Sequence, residues 1–241
     1  MKYIKHIKNL LKYFVKQPHC QSTFYSHYGE DMILHYIFQK QTTGFYVDVG
    51  SYHPEFFSNT KKLYDKGWSG INIDANIDSI KHFNSYRPND INLNFAIAEK
   101  EGIGKFFKFR GIDPLGGGSG NSLSLDIKKA YEKQGLKAQT SNIQMKTLAS
   151  ILGEYAVNKN IDFLNIDVEG FDFQVLKSNN WDLFRPQVIA VEIWHKDIDY
   201  DHVIEHEIYK YLRTKNYRAF SNTIHTWFFY DIASNLSKAI V

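Results

Sequence analysis

Carboxylates recur in this sequence where short apolar runs end. Asp48 stands near the end of FYVDV (45–49), Asp74 ends GINID (70–74), Asp167 ends DFLNID (162–167) with Glu169 two residues on, and Glu192 stands near the end of QVIAVEI (187–193). A single acid of this kind serves as a helix cap or loop residue; acids at the ends of four runs are hard to attribute to solvation. If the runs are parallel strands of one open sheet, the acids meet at the rim where such sheets bind ligands.

The turn after the first run narrows the ligand. A dinucleotide site needs G-x-G-x-x-G so that backbone can approach a pyrophosphate at a helix N-terminus. Here Gly50 is followed by the bulky Tyr52, His53 and Pro54. A lone glycine suits a tight turn around a ligand without phosphates. Asp74, about twenty residues further on, can accept hydrogen bonds from both hydroxyls of a ribose. Adenosine joined to an amino acid through a sulfonium meets these demands, because the acids favour its cationic sulfur and ammonium groups. S-adenosylmethionine is therefore the expected cofactor; the plain alternative makes Gly50 a turn residue and Asp74 a cap.

The elements that must position these residues alternate. Further strand signals lie at INLNFAIA (91–98), YRAFS (217–221) and HTWFFYD (225–231). Helical runs are expected over 55–66, 77–86, 171–178 and 203–215. Near-continuous apolar strands separated by helices predict an α/β fold, a mostly parallel sheet covered on both faces. The last two runs are too close for a parallel crossover, so they predict an antiparallel hairpin at the sheet's end. An insertion at about 103–145 interrupts the alternation. It holds the aromatic run KFFKF, the loop GGGSGNS (116–122), a helix near 124–134 and a strand-helix pair starting at Ile143. The loop reads as a substrate-side lid or as a surface connection.

With 241 residues, 43% of them hydrophobic, the chain can build one sizeable core, expected over 19–241. Its net charge of +3 is misleading, since Lys2, Lys5, Lys8, Lys12 and Lys16 precede any acid and the remainder carries −2. Nucleic-acid binding gains little support from a charge confined to one end. That segment, 1–18, reads as a basic amphipathic helix, docked on the domain or a second copy, or lying on an anionic membrane surface. It lacks the pattern of a secretory signal, and no run is long enough to cross a bilayer. Cys20 is the only cysteine, which suits a reducing compartment, with the cytoplasm expected.

In YSHYGED (25–31), FYVDVGSYHPEFFSNT (45–60), GWSGINIDA (67–75), NFAIAEKEG (94–102), KTLASIL (146–152), DFLNIDVEGFDFQVLKS (162–178) and PQVIAVE (186–192) the sequence resembles the FkbM family of S-adenosylmethionine-dependent methyltransferases. The resemblance implies a Rossmann-like methyltransferase fold. It also implies Asp48, Gly50 and Tyr52 along the methionine part of the cofactor, Ser58 and Asn59 supporting it, Asp74 at the ribose, Ala96 beside the adenine, and Ala75 in the same site. His27 departs from it, since a glutamine is more usual there. The reaction the resemblance implies is O-methylation of a sugar hydroxyl in a nucleotide- or lipid-linked precursor of a bacterial surface polysaccharide.

Methyl transfer to such an oxygen needs an in-line approach and removal of a proton from a weak acid. His195 and Asp167 are the candidate bases. Asp167 and Glu192 also stand where a divalent cation, Mg²⁺ or Mn²⁺, would hold the acceptor oxygen and lower its pKa, unless they only orient other groups. Glu169 is a further ligand or, with Asp172, a helix cap. Trp194, Tyr200, Trp227 and His225 either stack on a sugar face or pack. Two rival readings are a nicotinamide-dependent sugar oxidoreductase, disfavoured by the single-glycine turn, and a non-catalytic binding or membrane-anchoring module.

Overall fold

A computed structural model describes residues 23–109, 120–193, 200–234 and 236. The helix expected over 1–18 lies outside them. After α1 (Glu30–Ile37), β1 (Phe45–Val49) leads through α2 (Lys61–Asp65) to β2 (Ser69–Ile73), and α3 (Ile77–Tyr86) leads to β3 (Ile91–Leu93). A second group follows: β4 (Ala96–Ile97), β5 (Gly102–Phe109), α4 (Leu125–Lys133) and β6 (Ala138–Lys146). Then come α5 (Leu148–Tyr155), β7 (Phe163–Ile166), α6 (Asp172–Lys177), β8 (Val188–Glu192), α7 (Tyr200–Val203), α8 (Glu207–Thr214), β9 (Tyr217–Asn222) and β10 (Thr226–Asp231).

The main sheet has seven strands in the order β3-β2-β1-β7-β8-β10-β9. The five from β3 to β8 run parallel, and β10 lies antiparallel to both β8 and β9. Strand order reverses between β1 and β7, so the crevice outside their carboxyl ends is the expected place for a ligand. All five residues of β1 are buried, as both-face coverage requires. Phe45, Val47 and Val49 pack into a core with Leu148, Ile151, Leu152, Val175, Ile208 and Leu212 from α5, α6 and α8. Tyr46 points the other way, into a core with Leu34 of α1, Leu63 of α2 and Trp68. Among the described residues no helix is long and apolar enough to cross a membrane.

Two elements depart from the sequence expectation. The run 91–98 is split: β3 pairs with β2, whereas β4 joins β6 and β5 in a second, three-stranded sheet. Asn94 makes the break by donating Nδ2–H to the carbonyl of Asp74 at 2.9 Å, beyond the end of β2. The helix expected over 55–66 is formed only at Lys61–Asp65. Phe57 is in the left-handed region (φ 53°), which no α-helix accommodates. Within the insertion the aromatic run is the second half of β5, and β6 begins five residues before Ile143. The helix near 124–134 is α4, whose N-cap Ser124 accepts from Ile127 N–H.

Candidate active site

Outside the carboxyl ends of β1, β2, β7 and β8 lies a cavity of about 520 Å³. The expected cofactor residues Asp48, Gly50, Tyr52, Ser58, Asn59, Asp74, Ala75 and Ala96 all line it, and so do Asp167, Glu169 and Glu192. Thus residues more than a hundred positions apart share one chamber, which the parallel sheet brings about by ending four strands on one side. His195 and Trp194 lie outside the described residues. Trp227 is core, 3% exposed, and of the other stacking candidates His225 lines the cavity.

Gly50 adopts φ 82°, and its N–H donates to the carbonyl of Ile73 at 2.9 Å. A Cβ there would stand 2.7 Å from the carbonyl carbon of Asp167 and closer still to its oxygen. The glycine is therefore required by the approach of β7 to β1, a reason different from the ligand approach expected from sequence. Tyr52 follows in the left-handed region (φ 55°), and this turns its N–H onto Asp74 Oδ2 at 2.8 Å. Asn76 N–H donates to Asp74 Oδ1 at 2.6 Å. Each oxygen of Asp74 keeps a second lone pair, so the carboxylate is oriented and can still accept from a vicinal diol. Burial outweighs these two donors and lifts Asp74 to a pKa of about 6.

Asp48 is held differently. Its carboxylate is 2% exposed and accepts from Thr60 Oγ1 at 2.7 Å and from Asn165 Nδ2 at 2.9 Å. Asn59 Nδ2 donates in turn to Asn165 Oδ1 at 2.9 Å. Arg87, 1% exposed at the end of α3, donates to Thr60 Oγ1 at 2.8 Å, to Ser58 Oγ at 2.9 Å and to the carbonyl of Pro54. One guanidinium fork therefore fastens the irregular segment 54–60 to the sheet.

The other half of the chamber is acidic. Burial raises Asp167 well above the usual carboxylate range, and Glu192, Glu169, Asp172 and Asp48 push it further. Glu169 has φ 53°, and its Oε1 accepts from Gly120 N–H at 3.0 Å while its carbonyl accepts from Ser122 Oγ at 2.7 Å. The insertion is thereby latched to the turn after β7. Tyr131 of α4 also lines the cavity, its hydroxyl pushed up by burial, Glu169 and Glu192. Asp172 accepts from Val168 and Gly170 N–H groups at 3.0 and 3.1 Å and is lifted to about 7 by burial, so it caps the turn that Glu169 leaves. For a metal the fit is poor: among the described residues no group of three His, Cys, Asp or Glu side chains is arranged to hold one. Asp167 and Glu192 remain as a pair of like charges.

Sequence reasoning missed Arg87, Thr60, Asn165 and Tyr131. Asn165 sits one strand position from Ile166 in an apolar run, and a buried amide in a parallel strand was the signal available. Arg87 gave none, since a basic residue after a helix is ordinary. His225, lining the cavity just before β10, has its pKa lowered by burial and by His27, which favours the neutral imidazole.

The raised carboxylates make a prediction for stability. Asp48, Asp74, Asp90, Asp167, Glu169 and Asp172 all bind protons more tightly folded than unfolded. Stability is then full below their unfolded values and declines as pH rises through the folded ones. Asp78 and Glu154, shifted down, change charge below about pH 5, so between about pH 5 and about pH 7.5 the opposing group among the described residues is His225. The melting temperature of the ligand-free protein is expected to fall by several degrees between about pH 5 and about pH 7.5. A melting curve that rises across this range would contradict the assignment of those shifts.

The reversal between β1 and β7, the antiparallel β10 beside β8, and the single-glycine turn define an α/β protein of the Rossmann-like methyltransferase class. The chain matches the Methyltransferase FkbM domain over residues 48–219 and belongs to that family. Comparisons with curated proteins and with solved structures return no match.

Proposed function

We propose that the protein transfers a methyl group from S-adenosylmethionine to a hydroxyl oxygen of a saccharide. The observation that carries the reading is the single chamber joining Asp74, after a turn with no phosphate-binding pattern, to the acidic rim of Asp167, Glu169 and Glu192. S-adenosylmethionine, when bound, supplies an electrophilic methyl on a sulfonium. Asp74 accepts the ribose hydroxyls, Ala75 and Ala96 line the adenine end, and the turn of Gly50 to Tyr52 lines the methionine end. The acids nearby favour the sulfonium charge. Asp167 and His225 are the groups placed to take the acceptor proton, Asp167 because its raised pKa makes it a better base than an ordinary carboxylate. Asp167 and Glu192 alone make too small a donor set for a protein-held cation, so no metal enters the proposal. The cellular setting we propose is the cytoplasm, on a nucleotide- or lipid-linked glycan precursor, with the segment 1–18 contacting a membrane or a second copy.

The test is transfer of labelled methyl to a panel of glycosides and lipid-linked saccharides in excess chelator. The label is expected in ether linkage, and Asp167→Asn should lower kcat by about 10² to 10⁴ with affinity for S-adenosylhomocysteine largely kept. Label found on nitrogen or carbon, or a variant with unchanged kcat, would contradict the proposal.

A further inference from the structure

The cavity has a wall that the cofactor assignment does not use. Glu30, 2% exposed, accepts from Tyr28 N–H at 2.8 Å and from Thr223 Oγ1 at 2.6 Å. It thereby fastens the segment before α1 to the turn between β9 and β10. That places the Tyr28 ring 6.4 Å from His225, edge to face, while His27 stacks on Tyr28 at 4.1 Å and 15°. Phe57 adds a ring 4.9 Å from His27. All four rings line the cavity, and Tyr28 and Phe57 are 44% and 45% exposed. His225 also borders the acids, since Ile193 N–H donates to its carbonyl at 2.9 Å and Thr226 stands opposite Glu192 in the β8–β10 ladder.

The charge along this chamber is one-sided. Its described lining includes six carboxylates, Glu30, Asp48, Asp74, Asp167, Glu169 and Glu192, and no lysine or arginine. Stacked rings offer a negative π-face to the positively polarised C–H groups of a pyranose, and carboxylates accept from its hydroxyls. An anionic acceptor finds no lysine or arginine counter-charge in that lining, and it raises the cost of ionising acids that burial already holds up.

Resting on the methyl-transfer reading, we infer that the wall of His27, Tyr28, Phe57 and His225 is the acceptor subsite, and that it takes an uncharged, hydroxylated sugar ring and rejects uronates and sugar phosphates. Any phosphate of a carrier then lies outside the chamber.

The test uses the full chain saturated with S-adenosylhomocysteine, titrated with neutral methyl glycosides and with the matching methyl glycosiduronates, binding being followed by saturation-transfer NMR. At least one neutral glycoside is expected to bind, and its uronate at least about tenfold more weakly, as like-charge juxtaposition demands. Tyr28→Ala should weaken the neutral glycoside about fivefold or more, and Tyr28→Phe, which keeps the ring, should restore it to within about twofold. S-adenosylhomocysteine affinity should be the same in all three proteins, which separates loss of the subsite from loss of fold. Equal or tighter binding of the uronate, binding by no neutral member, or no effect of Tyr28→Ala would overturn the inference. Failure of S-adenosylhomocysteine to bind at all would instead overturn the methyl-transfer reading on which it rests.

Discussion

Gly50→Ala is expected to destabilise the fold by about 3 to 5 kcal/mol and to abolish cofactor binding in whatever protein remains folded. Two separate penalties act at this position. The backbone is at φ 82°, where an L side chain is strained, and the new Cβ meets main-chain atoms of Asp167, not a side chain that can swing away. Relief requires β1 and β7 to separate at the switch point. That would also move Tyr52 N–H from Asp74 and displace Asp167 from the rim. For a chain of this length the melting temperature should fall by about 10 °C. A folded Gly50→Ala protein with unchanged melting and unchanged cofactor affinity would show that the turn is not built as described.

Arg87→Met is expected to have a comparable effect on stability, about 3 to 5 kcal/mol, and to weaken the cofactor at least about tenfold. The guanidinium is buried, lies over the rings of Tyr64 and Phe83, and satisfies Ser58, Thr60 and Pro54 at once. It also favours the ionised forms of Asp48 and Asp90, whose pKa values burial raises. Methionine fills the volume but removes the donor to Ser58, Thr60 and Pro54 and the positive charge beside Asp48 and Asp90. Arg87→Lys keeps the charge and loses the fork, so it should fall between the two proteins in both melting temperature and cofactor affinity. An unaltered cofactor affinity in a destabilised Arg87→Met protein would show that the segment 54–60 is positioned by something else.

The legible parts of the fold were those whose signal is local. The strand at Phe45–Val49 reads directly from a run that is apolar but for Asp48, because a parallel strand buried on both faces needs a nearly continuous one, and β7 and β8 read the same way. The carboxylates at the strand ends could be gathered because a parallel sheet puts every such end on one side. What was not legible depends on distant partners. The second sheet pairs Gly102–Phe109 with Ala138–Lys146, and β6 is largely exposed, so its alternation carries little apolar signal. The split at Asn94 and the unwinding of 55–60 are set by Asp74 and Arg87, which act across 20 to 33 residues of chain. Gly50 was read as functional for the right position and a different reason, since the group it admits is the backbone of Asp167. Tyr28 joined no expected site at all, because its place beside His225 depends on the bond between Glu30 and Thr223, 193 residues apart.

Calorimetric titration of S-adenosylhomocysteine into the wild-type chain and into Asp74→Ala, with NAD titrated in parallel, tests the central claim most directly. The proposed cofactor site requires saturable one-to-one binding to the wild type and no binding of NAD. It also requires at least about a tenfold loss of affinity in Asp74→Ala, the size expected when charge-assisted hydrogen bonds to a ribose are removed. Equal affinities in the two proteins, or a wild-type chain that binds NAD and not S-adenosylhomocysteine, would contradict it.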